Sequence, residues 1–292
     1  MTVQSIAELA ELIKKVWSMQ FYPQLQQENY LSNLFLRTYE GDLSGGGDTV
    51  KVNQIEKPAG TTIALDTANS NAEETITESA LTINQIDIKV NQLANVNVRI
   101  GRIAKALMGN MQSSAFAAEL RTLMFQDIFD QIEATIIAGL IPSASSPAHQ
   151  VKWATNNKVT EGEIRNARKL LRTQKVPVMN LWAVHGITSY DQLLGIDKFK
   201  DADYIGDMPE MPIQSGEVKK IYGFNHIEST ALAADDSFFF HPSAGALVIA
   251  EDIVVKASDM HAAGKRGELL SVEVLYGFKL MDNKRIVKYD NT

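Results

Sequence analysis

Phe238-Phe239-Phe240-His241-Pro242-Ser243-Ala244-Gly245-Ala246-Leu247 and, farther on, Leu269-Leu270-Ser271-Val272-Glu273-Val274-Leu275-Tyr276-Gly277-Phe278-Lys279-Leu280 are the stretches that decide the fold class. The first reads as an aromatic strand stopped by proline and followed by small residues. Val254, Val255 and Lys256 then resume extended structure, and the second stretch is a longer strand. Alternation with β-branched and aromatic side chains, punctuated by glycine, marks strands half buried against another layer. From Ser237 to Tyr289 no position is arranged for catalysis, so this region is architecture and the function is to be sought in assembly.

The rest of the composition agrees with an ordinary globular chain. With 292 residues, 45% hydrophobic and 22% charged, the chain can bury a large core as one elaborate domain or two smaller ones. No apolar run approaches the roughly 20 residues of a spanning helix. Glu8 and Glu11 interrupt the apolar stretch that begins at Ile6, so there is no signal pattern and a cytosolic origin is expected. The absence of cysteine excludes disulfides and thiolate metal sites. Thirty-five acids against 28 bases give a net charge of −7, so the whole chain does not attract nucleic acid.

Working back toward the N-terminus, Ile6, Leu9, Ile13, Val16 and Trp17 recur at helical spacing with Lys14 and Lys15 off the stripe. This short amphipathic helix is either an arm laid across another chain or a helix docked on its own domain. Leu43-Ser44-Gly45-Gly46-Gly47-Asp48 reads as a hinge, after which Thr49 to Ile55 alternates as a strand. Its expected partner is Leu81 to Val90, where Ile83 and then Ile86, Ile88 and Val90 change phase as across a β-bulge. The polar interval between them, with Pro58, Gly60, Asn69 and Asn71, is far longer than a hairpin turn. Such a hairpin has no core of its own and must reach a neighbour or be disordered.

Phe116, Leu120, Leu123, Met124, Ile128, Phe129, Ile132 and Ile136 follow helical spacing from Ser113 to Leu140, with a serine N-cap and Gly139 and Pro142 at the end. At 1.5 Å per residue this is a strut of about 40 Å. A second helix opens at Thr160, where Glu163 completes a capping box, and continues through Ile164, Ala167, Leu170 and Leu171. An apolar strand from Val178 to His185, a short helix around Ser189 to Leu194 and a long loop from Gly195 to Gly216 complete a mixed α/β unit.

Chemical motifs are missing. His149, His185, His226, His241 and His261 are scattered, without an HExxH pattern or a cysteine partner, and read as structural histidines. Gly45-Gly46-Gly47 lacks the lysine and hydroxyl residue of a phosphate loop, and Gly264-Lys265-Arg266-Gly267 lacks the hydroxyl residue. Asp201-Ala202-Asp203-Tyr204-Ile205-Gly206-Asp207 starts like a calcium loop, but Ile205 and Pro212 stand where oxygen ligands are required. No catalytic, cofactor-binding or metal residue is assigned, no cofactor is expected, and the chain is not read as an enzyme.

The order of elements resembles the major capsid proteins of tailed bacteriophages, of the Hong Kong 97 type fold. Gly47-Asp48-Thr49-Val50-Lys51-Val52 is similar to the start of that family's extended loop. Leu181-Trp182-Ala183-Val184-His185 with Tyr190-Asp191-Gln192-Leu193-Leu194 resembles a strand and helix of its axial domain. Gly216 to Ser229, containing Gly223-Phe224, resembles a phrase common there, and Leu269 to Gly277 resembles the final peripheral-domain strand. The resemblance implies an α+β fold in five parts: an N-terminal arm over 1–45, an extended loop hairpin over 46–92, a peripheral domain with its spine helix over 93–150, an axial domain over 151–250, and a return to the peripheral domain over 251–292.

By the same resemblance, subunits form hexamers and pentamers of an icosahedral head shell, with the extended loop lying over the adjacent subunit. Implied partners are other copies of itself, a separate scaffolding protein, a portal, decoration proteins and packaged double-stranded DNA contacted non-specifically, with no membrane. The implied location is the virion capsid, assembled in the host bacterial cytoplasm. A fused N-terminal scaffold is not expected, because the first loop strand begins near Asp48. Some members crosslink a loop lysine to a neighbour's asparagine. Lys57 is the only lysine near the loop tip here and sits at its base, so that chemistry is not carried over. Two other readings are an encapsulin-like nanocompartment shell and a cytosolic oligomeric enzyme with its site in the loop from Asp201 to Glu210.

Overall fold

The computed structural model describes residues 29–43, 47–58, 60, 79–101, 114–143, 149–153, 159–196, 218, 220–259 and 267–290. In chain order the strands are β1 (Thr49–Ile55), β2 (Ile83–Lys89), β3 (Gln92–Gly101), β4 (Gln150–Lys152), β5 (Leu181–His185), β6 (Lys220–Ile221), β7 (Phe224–Glu228), β8 (Ser237–Phe240), β9 (Gly245–Asp259), β10 (Gly267–Leu280) and β11 (Ile286–Asp290). The helices are α1 (Leu31–Leu34), α2 (Ser114–Gly139), α3 (Glu161–Thr173) and α4 (Ile187–Leu194). The α+β class expected from the sequence is what is observed. Two compact units are present, one built on Asn95–Gln131 and Ile253–Glu273, the other on Glu28–Ala94, Ile132–Asp252 and Val274–Thr292.

A six-stranded mixed sheet in the order β4-β11-β8-β5-β7-β6 organises the larger unit. The aromatic strand β8 lies inside it, antiparallel to both β11 and β5, and all four of its residues are buried. Burial on both faces explains why Phe238, Phe239 and Phe240 can follow one another without a polar alternate. Ile164, Ala167 and Leu171 of α3 recur at three and four residues and enter the same core as Phe224, Phe239 and Val287. The capping box predicted at the start of α3 is present: the Thr160 amide donates to the Glu163 carboxylate at 3.0 Å. β6 and β7 meet through Tyr222 and Gly223, both at positive φ, 50° and 88°, as a two-residue hairpin turn requires.

Several sequence-based boundaries move. β5 starts at Leu181, not Val178, because Val178 to Asn180 form a turn whose last residue has φ of 57°. α4 begins earlier, at Ile187. β9 is one strand of 15 residues from Gly245 onward, not small residues followed by a separate extended piece. β11 pairs with β4 and β8, so the last strand of the 251–292 segment belongs to the six-stranded sheet. β3 had no counterpart in the sequence reading. It lies at one edge of a three-stranded sheet, β3-β10-β9.

α2 carries the strut, and its buried stripe is part of the expected one. Met124, Ile128, Ile132, Ile136 and then Leu140 are buried at four-residue spacing, whereas Leu120 and Leu123 are half-buried and Phe129 is exposed. Near its C-terminus α2 packs on β10, where Thr135 Oγ1 and Tyr276 Oη lie 2.7 Å apart. Tyr276 shares a face of β10 with buried Val272 and Val274. Glu133, fully buried on the same helix, accepts a hydrogen bond from the Leu31 amide at 2.8 Å and so fixes the entry of the chain into α1. Ile128→Ala is expected to cost about 2–5 kcal/mol of stability and Leu123→Ala clearly less, read from urea unfolding midpoints.

The opposite face of β10 seats the hairpin. A Cβ on Gly277 would stand 2.1 Å from the Lys89 carbonyl oxygen and 2.9 Å from Val90 Cα. Backbone is the obstacle, and it cannot swing aside as a side chain can. Gly277→Ala should therefore lift the end of β2 from its seat, at about 1–3 kcal/mol in global stability. Hydrogen exchange of the β1 and β2 amides is the measurement, and unchanged protection would contradict this account.

Candidate assembly surface

β1 and β2 form a two-stranded antiparallel sheet with regular one-to-one register, from Thr49 opposite Lys89 to Ile55 opposite Ile83. No bulge interrupts it. Ile83 differs in phase from Ile86 and Ile88 because it points to the other face of the hairpin, not because the strand slips. At the base, Val50, Ile88 and Val90 are buried with Leu43, Ala246 and Val248 in a core of their own. At the far end Ile55, Leu81 and Ile83 are 64%, 62% and 56% exposed. Beyond them the polar segment 61–78 lies outside the described residues.

Isolated two-stranded sheets are marginal in water, and among the described residues this one has its core at the root. Among the described residues the apolar cluster at its outer end is left exposed. Contiguous exposed apolar side chains of this kind mark an interaction surface. Lys57, just past β1, is exposed, and Asn84 Nδ2 donates to Glu56 Oε1 at 2.6 Å across the hairpin.

The histidines prove less scattered than their numbering. Parallel pairing of β5 with β7 brings His185 and His226 together, with His185 Nε2 2.9 Å from His226 Nδ1 and the rings stacked at 5.2 Å and 8°. His185 Nδ1 is 2.8 Å from Ser237 Oγ. Burial pushes both imidazoles down, His226 to about 4 against its ordinary 6.5 and His185 well below that ordinary value, helped by the charge of its neighbour. The Ile221 backbone works the other way on His226. His226 Nε2 has no hydrogen-bond partner among the described residues. His185, His226 and Ser237 are all buried, so among the described residues this is a core pair.

His149 Nδ1 hydrogen-bonds the Ile286 carbonyl at 2.7 Å. His241 caps the single turn Pro242–Ala244 by accepting from the Ser243 amide, and burial followed by nearby Arg285 pulls its pKa down. His261, Asp201 to Glu210, Gly264 to Arg266 and the N-terminal stripe Ile6 to Trp17 lie outside the described residues, as does most of the loop from Gly195 to Gly216. Among the described residues no group of three or more His, Asp or Glu could hold a metal ion.

No protein-family model matches the chain, and no curated protein matches it. Solved structures do match. A chain from Mycobacterium phage Che8 has a TM-score of 0.74 at 18% identity, over 96% of this chain and 97% of that one. The capsid of the cyanophage P-SCSP1u has a TM-score of 0.73 at 14% identity, over 97% and 95%. This is a phage capsid fold. A third such structure, the capsid asymmetric unit of cyanophage Pam1, has a TM-score of 0.72 at 15% identity, with 95% of each chain covered. Coverage this complete on both sides means the capsid fold accounts for the hairpin, the strut and the six-stranded sheet together.

Proposed function

We propose that the chain is a major capsid protein of a tailed bacteriophage, of the Hong Kong 97 type, which assembles as hexamers and pentamers into an icosahedral shell around packaged double-stranded DNA. The observation that carries this reading is the end-to-end likeness to phage capsid chains. The exposed Ile55, Leu81 and Ile83 of a hairpin anchored only at its root support it, since self-association covers them. In this reading 1–45 is the arm, 46–92 the extended loop, 93–150 the peripheral domain with its spine, 151–250 the axial domain and 251–292 the return.

Partners follow from the role: other copies, a scaffolding protein, a portal and decoration proteins, with the virion capsid as location and the host cytoplasm as the place of assembly. A net charge of −7 suits an enclosing wall, which repels DNA in bulk and touches it non-specifically, better than a nucleic-acid binder. No helix among the described residues is long and apolar enough to cross a membrane. Electron micrographs of the purified chain, expressed with its scaffold, test the reading. Closed shells that hold nucleic acid in the infected host support it, small oligomers with turnover of a substrate would replace it with an enzyme, and shells holding a cargo enzyme would make it a nanocompartment.

A further inference from the structure

A cavity of about 180 Å³ lies in the larger unit, beside the root of the hairpin. Val52 and Ile86, opposite each other in the hairpin register, form one wall, and Leu36, Tyr39 and Met281 form the rest. All five are half-buried. Water gains little against the aliphatic walls, because a buried water needs about two to four polar partners. An apolar cavity of about 150 Å³ takes up benzene, whereas drug-sized ligands need about 300–1,000 Å³. The space therefore matches one six-membered ring with a small substituent, and Tyr39 gives an aromatic ring a partner of its own kind.

One edge of the cavity is polar, lined by Ser243, Asp282 and Arg285, and its hydrogen bonds decide which substituent fits. Asp282 Oδ2 accepts from Arg285 Nε at 3.2 Å, and Asp282 Oδ1 accepts from the Lys284 amide at 2.9 Å. Arg285 Nη1 donates to Ser243 Oγ at 2.5 Å. His241 Nδ1 accepts from the Ser243 amide at 3.2 Å, so that nitrogen carries no proton and the Ser243 hydroxyl donates to it at 2.7 Å. Ser243 has thus spent its only side-chain donor. The Asp282 carboxylate keeps lone pairs and the Arg285 guanidinium keeps N–H groups. Their charges offset each other at this distance, so an anion is opposed by Asp282 and a cation by Arg285. A hydroxyl suits both, giving its proton to the carboxylate and accepting from the guanidinium.

Val52 and Ile86 belong to the hairpin, whereas Leu36, Met281 and Arg285 lie outside it, so an occupant bridges the two. Opening of the hairpin root then releases the ligand. By linkage the open population falls by a factor of one plus the ratio of free ligand to Kd, about tenfold when the ligand stands at ten times its Kd.

We propose that this cavity is a binding site for a small neutral hydroxylated ring of the size of phenol, which wedges between the hairpin root and the segment from Met281 to Arg285. The inference concerns the single subunit and does not rest on the shell reading. In the test, phenol is titrated into the methyl-labelled full-length chain at neutral pH while Leu36, Val52, Ile86 and Met281 are followed by NMR, with toluene and benzoate as companions. Saturable shifts at all four methyl sites are expected, with a Kd of about 1 mM. Toluene, which lacks the hydroxyl, and benzoate, which is charged, should bind about tenfold more weakly. Exchange of the β1 and β2 amides should slow about tenfold at ten times the Kd. Ile86→Phe fills the space and should abolish the shifts, and Leu36→Phe does the same from the opposite wall if Ile86→Phe disturbs the hairpin. Phenol binding that survives both substitutions, toluene that binds as well as phenol, or no saturable shift each overturns the proposal. Methyl shifts that follow protein concentration and not phenol would give the space to a second copy, and overturn it too.

Discussion

Deleting Gly60 through Glu78 and closing the gap with a short turn is expected to leave a subunit that folds as before and forms no closed shell. The deletion begins beyond the last register pair, Ile55 opposite Ile83, and leaves the buried root at Val50, Ile88 and Val90 untouched. Shortening a loop changes closure entropy by only about 0.6 kcal/mol per halving, in the stabilising direction. The apolar patch at Ile55, Leu81 and Ile83 survives, so the experiment isolates what lies past it. Burying one or two aliphatic side chains contributes about 1.5–3 kcal/mol each, whereas association costs about 4–15 kcal/mol in lost freedom. On the shell reading proposed above, the deletion therefore removes contacts that the patch does not replace. Urea unfolding and circular dichroism check the fold, and electron micrographs check the shells. An unfolded monomer, or shells of normal size and yield, would each contradict the expectation.

Local signals survived translation into structure, and long-range ones did not. The proline stop after Phe240, the capping box at Thr160 and Glu163, and the four-residue spacing of α2 are written within a few residues, and each stands where the sequence puts it. The hairpin was legible for a negative reason, a polar interval too long to belong to a turn. Its register was misread because one apolar face was assumed, and Ile83 serves the other. β3 was missed although Ala94, Val96, Val98 and Ile100 alternate with Asn95, Asn97 and Arg99, since asparagine disfavours strands and weakened the period. The stripe on α2 was drawn too wide: Leu120, Leu123 and Phe129 are as apolar as Met124 and Ile128, and only packing separates the buried set from the rest. The His185 and His226 pair comes from strands 41 residues apart, so it leaves no local trace.

That histidine pair leads to the second large effect, a loss of stability on acidification that begins near pH 6.5. His226 is held at about 4 in the folded chain against an ordinary 6.5, and His185 is pushed down as well. As pH falls below 6.5 the unfolded chain takes up protons that the folded chain refuses, so the equilibrium moves toward unfolding. The neutral pair's contribution is complete above pH 6.5, is lost between 6.5 and about 4, and does not fall further from His226 below that. A gap of this size is worth about 3 kcal/mol for His226 alone, and His185 adds in the same direction. The cause is burial: the stacked rings are joined by one hydrogen bond between Nε2 and Nδ1, a proton added to either ring would put a charge beside Phe224 and Phe239, and protonating the second ring would put two cations in contact. His226→Gln keeps a polar partner for His185 but cannot titrate, so its stability should fall more gently over the same window even if it starts lower. Urea midpoints from pH 8 to pH 4 for both proteins give the comparison. Parallel curves would assign the acid sensitivity to carboxylates and remove the histidine pair from the account.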